Sequence, residues 1–222
     1  MVSPQLLRLM QLASPALPVG AFAYSQGLEH GVDLGVQDEA AVTSWIFGVM
    51  EHGLARLDVP LLARLHRAWL VGDLDAVKRW SAVLLASRET MELRGEEAQT
   101  AASLARLLRD LGIAEAGEWT VFPKRTFCAL FALAGARWDI PTDALCSALV
   151  YAWTENQVAA ALKLVSMGQT GGQRILSEAA VRIPALIETG LALADEEIGG
   201  TVPGQVLASS LHETQHTRLF RS

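Results

Sequence analysis

Apolar residues recur every three or four positions from one end of this chain to the other. Nowhere do β-branched residues alternate with polar ones over the length of a strand. The pattern predicts an all-α protein. Ser3-Pro4 supplies a cap and a first-turn proline, Leu6, Leu9 and Met10 follow at helical spacing, and Ser14-Pro15 ends that helix. Residues 14–27 then form an irregular Pro/Gly-rich segment that carries Phe22 and Tyr24. Asp38 caps a helix with Val42, Trp45, Ile46 and Val49 on one face. Asp58 and Pro60 restart the chain into Leu61, Leu62, Leu65 and Trp69, and Gly72-Asp73 turns it into Val77, Trp80 and Leu84. A long, charge-dotted helix is predicted over about 87–111 and a loop over 112–120. Further helices are predicted at about 124–136, 142–167, 172–194 and 203–213. The expectation is one all-α domain over 1–222, a bundle of roughly eight to ten helices with short connections.

Composition adds a partner to this picture. The chain is 51% hydrophobic and only 19% charged, so either the core is large or apolar surface is covered by another protein. Net charge is −6, there are 3 Lys, and no basic run exists, which argues against nucleic acid. Cys128 and Cys146 sit in apolar stretches without metal-ligand spacing and read as free buried thiols. No signal peptide and no membrane span is predicted, so the cytoplasm is the expected location. The six tryptophans mostly fall on apolar faces and read as core.

Three segments carry candidate chemistry. His212-Glu213-Thr214-Gln215-His216 fits H-E-x-x-H, in which two histidines one helical turn apart hold zinc and the glutamate is the base. Only six residues follow it, so a third ligand would have to come from His30, His52, His66 or a distant carboxylate. The run from Gly168 to Gln173 is Gly-rich but has no Lys-Ser/Thr, so it reads as a helix–helix turn with glycines in left-handed positions rather than a nucleotide loop. Lys163 is a lone charge on an apolar helix, in a polar stripe with Asn156 and Thr170. Burying it unpaired would cost several kcal/mol. It therefore pairs with a carboxylate, snorkels to the surface, or meets a partner or polar cavity.

Read together, Leu12–Glu29, Lys163–Gln173 and His212–Ser222 resemble the urease accessory protein UreF family, with Tyr24-Ser25-Gln26-Gly27-Leu28-Glu29 and Arg218-Leu219-Phe220-Arg221-Ser222 as the most specific parts. The resemblance implies an all-α fold that forms a homodimer. It implies an adaptor, not an enzyme, that bridges UreD (also called UreH) and the GTPase UreG on apo-urease for GTP-dependent nickel insertion. GTP would be bound by the partner GTPase and no cofactor by this chain, with nickel handled by the complex and passed along a route through it. Carried over residue by residue, Phe22, Tyr24 and Glu29, then Lys163, Gln169 and Gln173, then Arg218, Phe220 and Arg221 would lie at or near partner surfaces, the last three in a partner-binding tail over 212–222. The family commonly has a proline where this chain has Ser166-Met167, and more often an aromatic residue at His216. The second departure makes H-E-x-x-H a family tail plus one substitution.

Overall fold

The computed structural model describes residues 3–222, which form eleven α-helices and no strand. Nine of these are the expected ones. The other two are short: α2 (Leu28–Asp33) and α7 (Ala116–Trp119). Neither is long enough for an apolar stripe to repeat, which is why periodicity passed them over.

The caps behave as their chemistry requires. Ser3 accepts from the Leu6 N–H at the start of α1 (Pro4–Ala13), and Asp38 from Ala41 at 2.8 Å at the start of α3 (Glu39–Val49). Asp73 accepts from Ala76 at 2.9 Å ahead of α5 (Leu74–Ala86). Asp58 does not cap. It is the first residue of α4 (Asp58–Val71), and its carboxylate turns inward.

Other boundaries moved for physical reasons. The expected helix over 87–111 begins later, as α6 (Met91–Asp110), because Thr90 takes the cap by accepting from the Leu93 N–H. Residues 87–90 thus become a short link, and Arg88 on it points into the protein. The expected helix over 142–167 stops as α9 at Leu164 (Thr142–Leu164), and α10 (Gln169–Ala192) starts earlier than expected. Gly168, Gly171 and Gly172 are therefore not in left-handed turn positions. A Cβ on Gly171 would come within 2.6 Å of Glu39 Oε2, and one on Gly172 within 2.9 Å of Val158 Cγ1. These glycines permit close packing rather than unusual backbone angles.

The core forms around α8 (Phe127–Arg137). Every residue from Cys128 to Ala136 on it is buried, as expected of a helix apolar on all sides. α4 packs along α8, and the Trp69 indole N–H donates to the Ala129 carbonyl at 2.8 Å. α5, α9 and α10 also pack on α4, and α6 on α8. Trp69 and Trp119 are buried, while Trp45, Trp80, Trp138 and Trp153 pack against the core at its margin. Cys128 and Cys146 are free and buried; burial pushes the Cys146 thiol up to about 12. The last helix, α11 (Pro203–His212), lies on α2 and α6, and so brings the C-terminal segment back to the N-terminal one.

Candidate functional site

The two ends of the chain are tied together on one face. The irregular segment turns through Gly20 (φ 81°), a 3₁₀ turn at Ala21–Ala23, Gln26 (φ 54°) and Gly27 (φ 86°) before entering α2. Gly27 needs to be glycine twice over, since a Cβ there would also sit 2.8 Å from the Ser209 backbone nitrogen on α11. Residues 213–222 run back over this platform. Arg221 N–H donates to the Ala23 carbonyl at 2.8 Å, and Ser25 N–H to the Ser222 carbonyl at 2.6 Å.

One carboxylate organises the crossing. Glu29 Oε1 accepts from Leu219 N–H at 2.7 Å, and Glu29 Oε2 accepts from Phe220 N–H at 2.9 Å. His212, fully buried, places Nε2 3.1 Å from Glu29 Oε2 and Nδ1 2.9 Å from Glu92 Oε2. Glu92 in turn accepts from Arg218 Nη1 at 2.9 Å. Burial raises the Glu92 carboxyl, and the hydrogen bond from His212 and the charges of His212 and Arg218 pull against it.

This geometry settles where the candidate residues stand. Tyr24, Glu29 and Phe220 are buried, and of these Glu29 holds the tail, whereas Phe22, Leu219, Arg218 and Arg221 are exposed around it. Lys163 snorkels: it is exposed, and its ammonium lies over the Phe220 ring at 5.3 Å. Asn156, on the same helix, donates to the Tyr24 carbonyl at 3.1 Å. Gln169 and Gln173 are exposed on the first turns of α10, beside the Arg174–Glu39 ion pair. Among the described residues no hydrogen bond ties them to the tail.

The zinc reading is overturned. α11 ends at His212, so His216 does not follow one turn later on the same helical face; it is exposed in the tail. Both ring nitrogens of His212 are committed to carboxylates, and Glu213 Oε1 accepts from the Met91 N–H. Among the described residues no group of three or more His, Cys, Asp or Glu side chains is arranged to hold a metal ion.

Beneath the platform lie two cavities that the sequence did not announce. The larger, about 360 Å³, is walled by Leu12–Pro15, Leu17, Val19 and Phe22 on one side and by Leu149, Trp153 and Asn156 of α9 on the other. The smaller, about 60 Å³, lies between Val49, Gly53, Leu57 and Val202. Gln26, Leu54, Asp58, Arg88, Glu96 and Glu97 line both and so form the partition. Arg88 donates to both Asp58 oxygens and, at 3.0 Å, to Glu97 Oε2. Burial alone would lower the guanidinium, but Asp58 and Glu97 hold it well above its ordinary range. Glu96 Oε1 accepts from Gln26 Nε2 at 2.8 Å, its Oε2 is closed off from solvent, and the Ser222 side chain adds a further hydrogen bond to the carboxyl. Burial pushes this carboxyl up to about 7, although the Gln26 bond opposes it.

Most of this network was missed because its members look like surface charge. One signal was available. Glu92 and Glu96 stand four apart on α6, where like charges repel on an exposed face, and both in fact turn inward.

The architecture defines an all-α protein whose two ends close over a charged interior. The chain belongs to the UreF family: that family's model matches residues 36–180, more than half of the chain. It is 53% identical over 97% of its length to the urease accessory protein UreF of Alkalilimnicola ehrlichii, covering 95% of that protein. It is 49% identical over 98% of its length to the UreF of Azoarcus sp. (95% covered) and 47% over 98% to that of Teredinibacter turnerae (99% covered).

Proposed function

We propose that this chain is a urease accessory protein that bridges UreD/UreH and the GTPase UreG, so that GTP hydrolysis by the partner drives nickel into apo-urease. The observation that carries the proposal is near-full-length identity to relatives bearing that name. The geometry supports an adaptor. A platform with exposed Phe22, Leu219, Arg218 and Arg221 offers the aromatic, aliphatic and Arg side chains that commonly anchor interfaces. Lys163, exposed beside Phe220, belongs to the same face. Gln169 and Gln173 offer a second polar contact at the start of α10.

The chain acts in this reading as a homodimer, in the cytoplasm, and holds no cofactor of its own. No helix of the described residues is long and apolar enough to cross a membrane. In this reading nickel is cargo handled by the complex.

Expression of the urease operon with and without this chain tests the proposal. Urease purified from cells lacking the chain is expected to hold less than a tenth of the nickel found with it. Equal nickel loading in both would overturn it.

A further inference from the structure

Glu96 lies where the two ends of the chain meet. Gln26, beside it, holds a left-handed backbone position (φ 54°) that a non-glycine residue rarely adopts. The indole Nε1 of Trp153 on α9 donates to Gln26 Oε1 at 2.7 Å. An indole nitrogen can only donate, so the amide is fixed with its Nε2 toward Glu96 Oε1. Glu96 Oε1 is therefore an acceptor, and a proton on this carboxyl sits on the enclosed Oε2. The tail supplies the remaining partner, the Ser222 side chain. Ser222 is itself buried, and both the N–H and the hydroxyl of Ser25 donate to its carbonyl. A serine hydroxyl can donate to a carboxylate or accept from a carboxylic acid, so its contact suits either form. The charges nearby do not. Asp58 of α4 and Glu97 of α6 line the same partition, and Arg88 from the 87–90 link is already committed to both. Glu155 and the Cys128 thiol line the larger cavity and Glu89 the smaller, and none of them brings a positive charge. One turn earlier on α6, Glu92 is taken by His212 and Arg218. An ionised Glu96 would be a third enclosed negative charge against one guanidinium.

We propose that Glu96 is a proton-operated latch on the C-terminal tail: protonated, it is enclosed with the tail closed over it, and its ionisation favours lifting of the tail at Ser222, which lets water reach the charge. Burial pushes the carboxyl up to about 7 with the charge of Glu97 adding to it, although Gln26, Arg88 and Ser222 pull the other way. Once the tail lifts, water removes the main cause and the carboxyl moves back toward its ordinary 4.5. The closed tail thus holds the proton more tightly than the open one. Closure is strongest below pH 4.5, weakens as pH rises toward 7, and changes little above that. The latch belongs to this chain alone and stands whichever partner the platform receives.

The competing account is that ionised Glu96 weakens the whole fold and leaves the tail alone. Amide exchange on the full chain separates the two, each rate being divided by its intrinsic value at that pH. In the wild type, protection of the Phe220 and Arg221 N–H groups is expected to be about tenfold greater at pH 5.5 than at pH 7.5. In Glu96→Gln, where His212 and Glu92 are untouched, that difference should shrink to about twofold or less. Linkage also runs the other way. In Glu29→Ala, whose tail is released, carbon-13 NMR should show Glu96 titrating lower than in the wild type by about one pH unit or more. Equal pH dependence of tail protection in the wild type and Glu96→Gln overturns the latch. So does a Glu96 titration that stays in place while exchange at Phe220 shows the tail released. If urease loads normally without this chain, the accessory reading fails on its own, independently of these measurements.

Discussion

Glu29→Ala is expected to release the C-terminal tail while leaving the helical body folded. Its carboxylate accepts two tail N–H groups and faces the buried His212. Removing it leaves two backbone N–H groups without their acceptor and His212 Nε2 without its partner, and a buried group left unsatisfied typically costs about 1–3 kcal/mol. The chain escapes most of that cost by undocking 213–222, which lets water reach the orphaned groups but exposes Phe220. Burial of a Phe side chain is worth about 2 kcal/mol. The expected result is therefore local. Amide exchange at Leu219 and Phe220 should speed up by about two orders of magnitude, while α4 and α8 keep their protection. Binding of the GTPase should weaken at least tenfold if the docked tail is its platform. Unchanged protection at 219–220 in Glu29→Ala would show that Glu29 does not hold the tail.

The second large effect concerns Glu96. Its carboxyl takes its proton at about 7 in the folded chain, against an ordinary value of 4.5. Between those values the native state binds more protons than the unfolded state, so stability falls as pH rises through the window. A gap of this size corresponds to about 3 kcal/mol lost from below pH 4.5 to above pH 7. Glu96→Gln keeps an acceptor for Gln26 and cannot ionise. It should be within about 1 kcal/mol of the wild type at pH 5 and more stable by roughly 2–3 kcal/mol at pH 8. Denaturant unfolding at both pH values checks this, and parallel pH dependences for the two proteins would contradict it.

Legibility followed chemistry. Helices long enough to repeat an apolar stripe were readable, and so were the caps at Ser3, Asp38 and Asp73. One- and two-turn helices were not, and Asp58 was readable as the start of a helix but not as a carboxylate that faces the interior. The platform was half legible. The residues Phe22–Glu29 and Arg218–Ser222 were picked out, but nothing in their spacing says that Glu29 binds the tail across 190 residues of chain. The same limit applies to His212, whose spacing to His216 suggests a metal while its actual neighbours are Glu29 and Glu92. The partition was illegible, since Asp58, Arg88, Glu96 and Glu97 come from three places in the sequence and only the packing of α4, α6 and α8 unites them.

The central claim is that this chain is an adaptor that carries two different accessory proteins at once. Co-expression of the tagged chain with UreD/UreH and UreG, followed by affinity and size-exclusion purification, tests it most directly. The account predicts that both partners elute with the chain as one complex. Recovery of the chain with neither of them would contradict it.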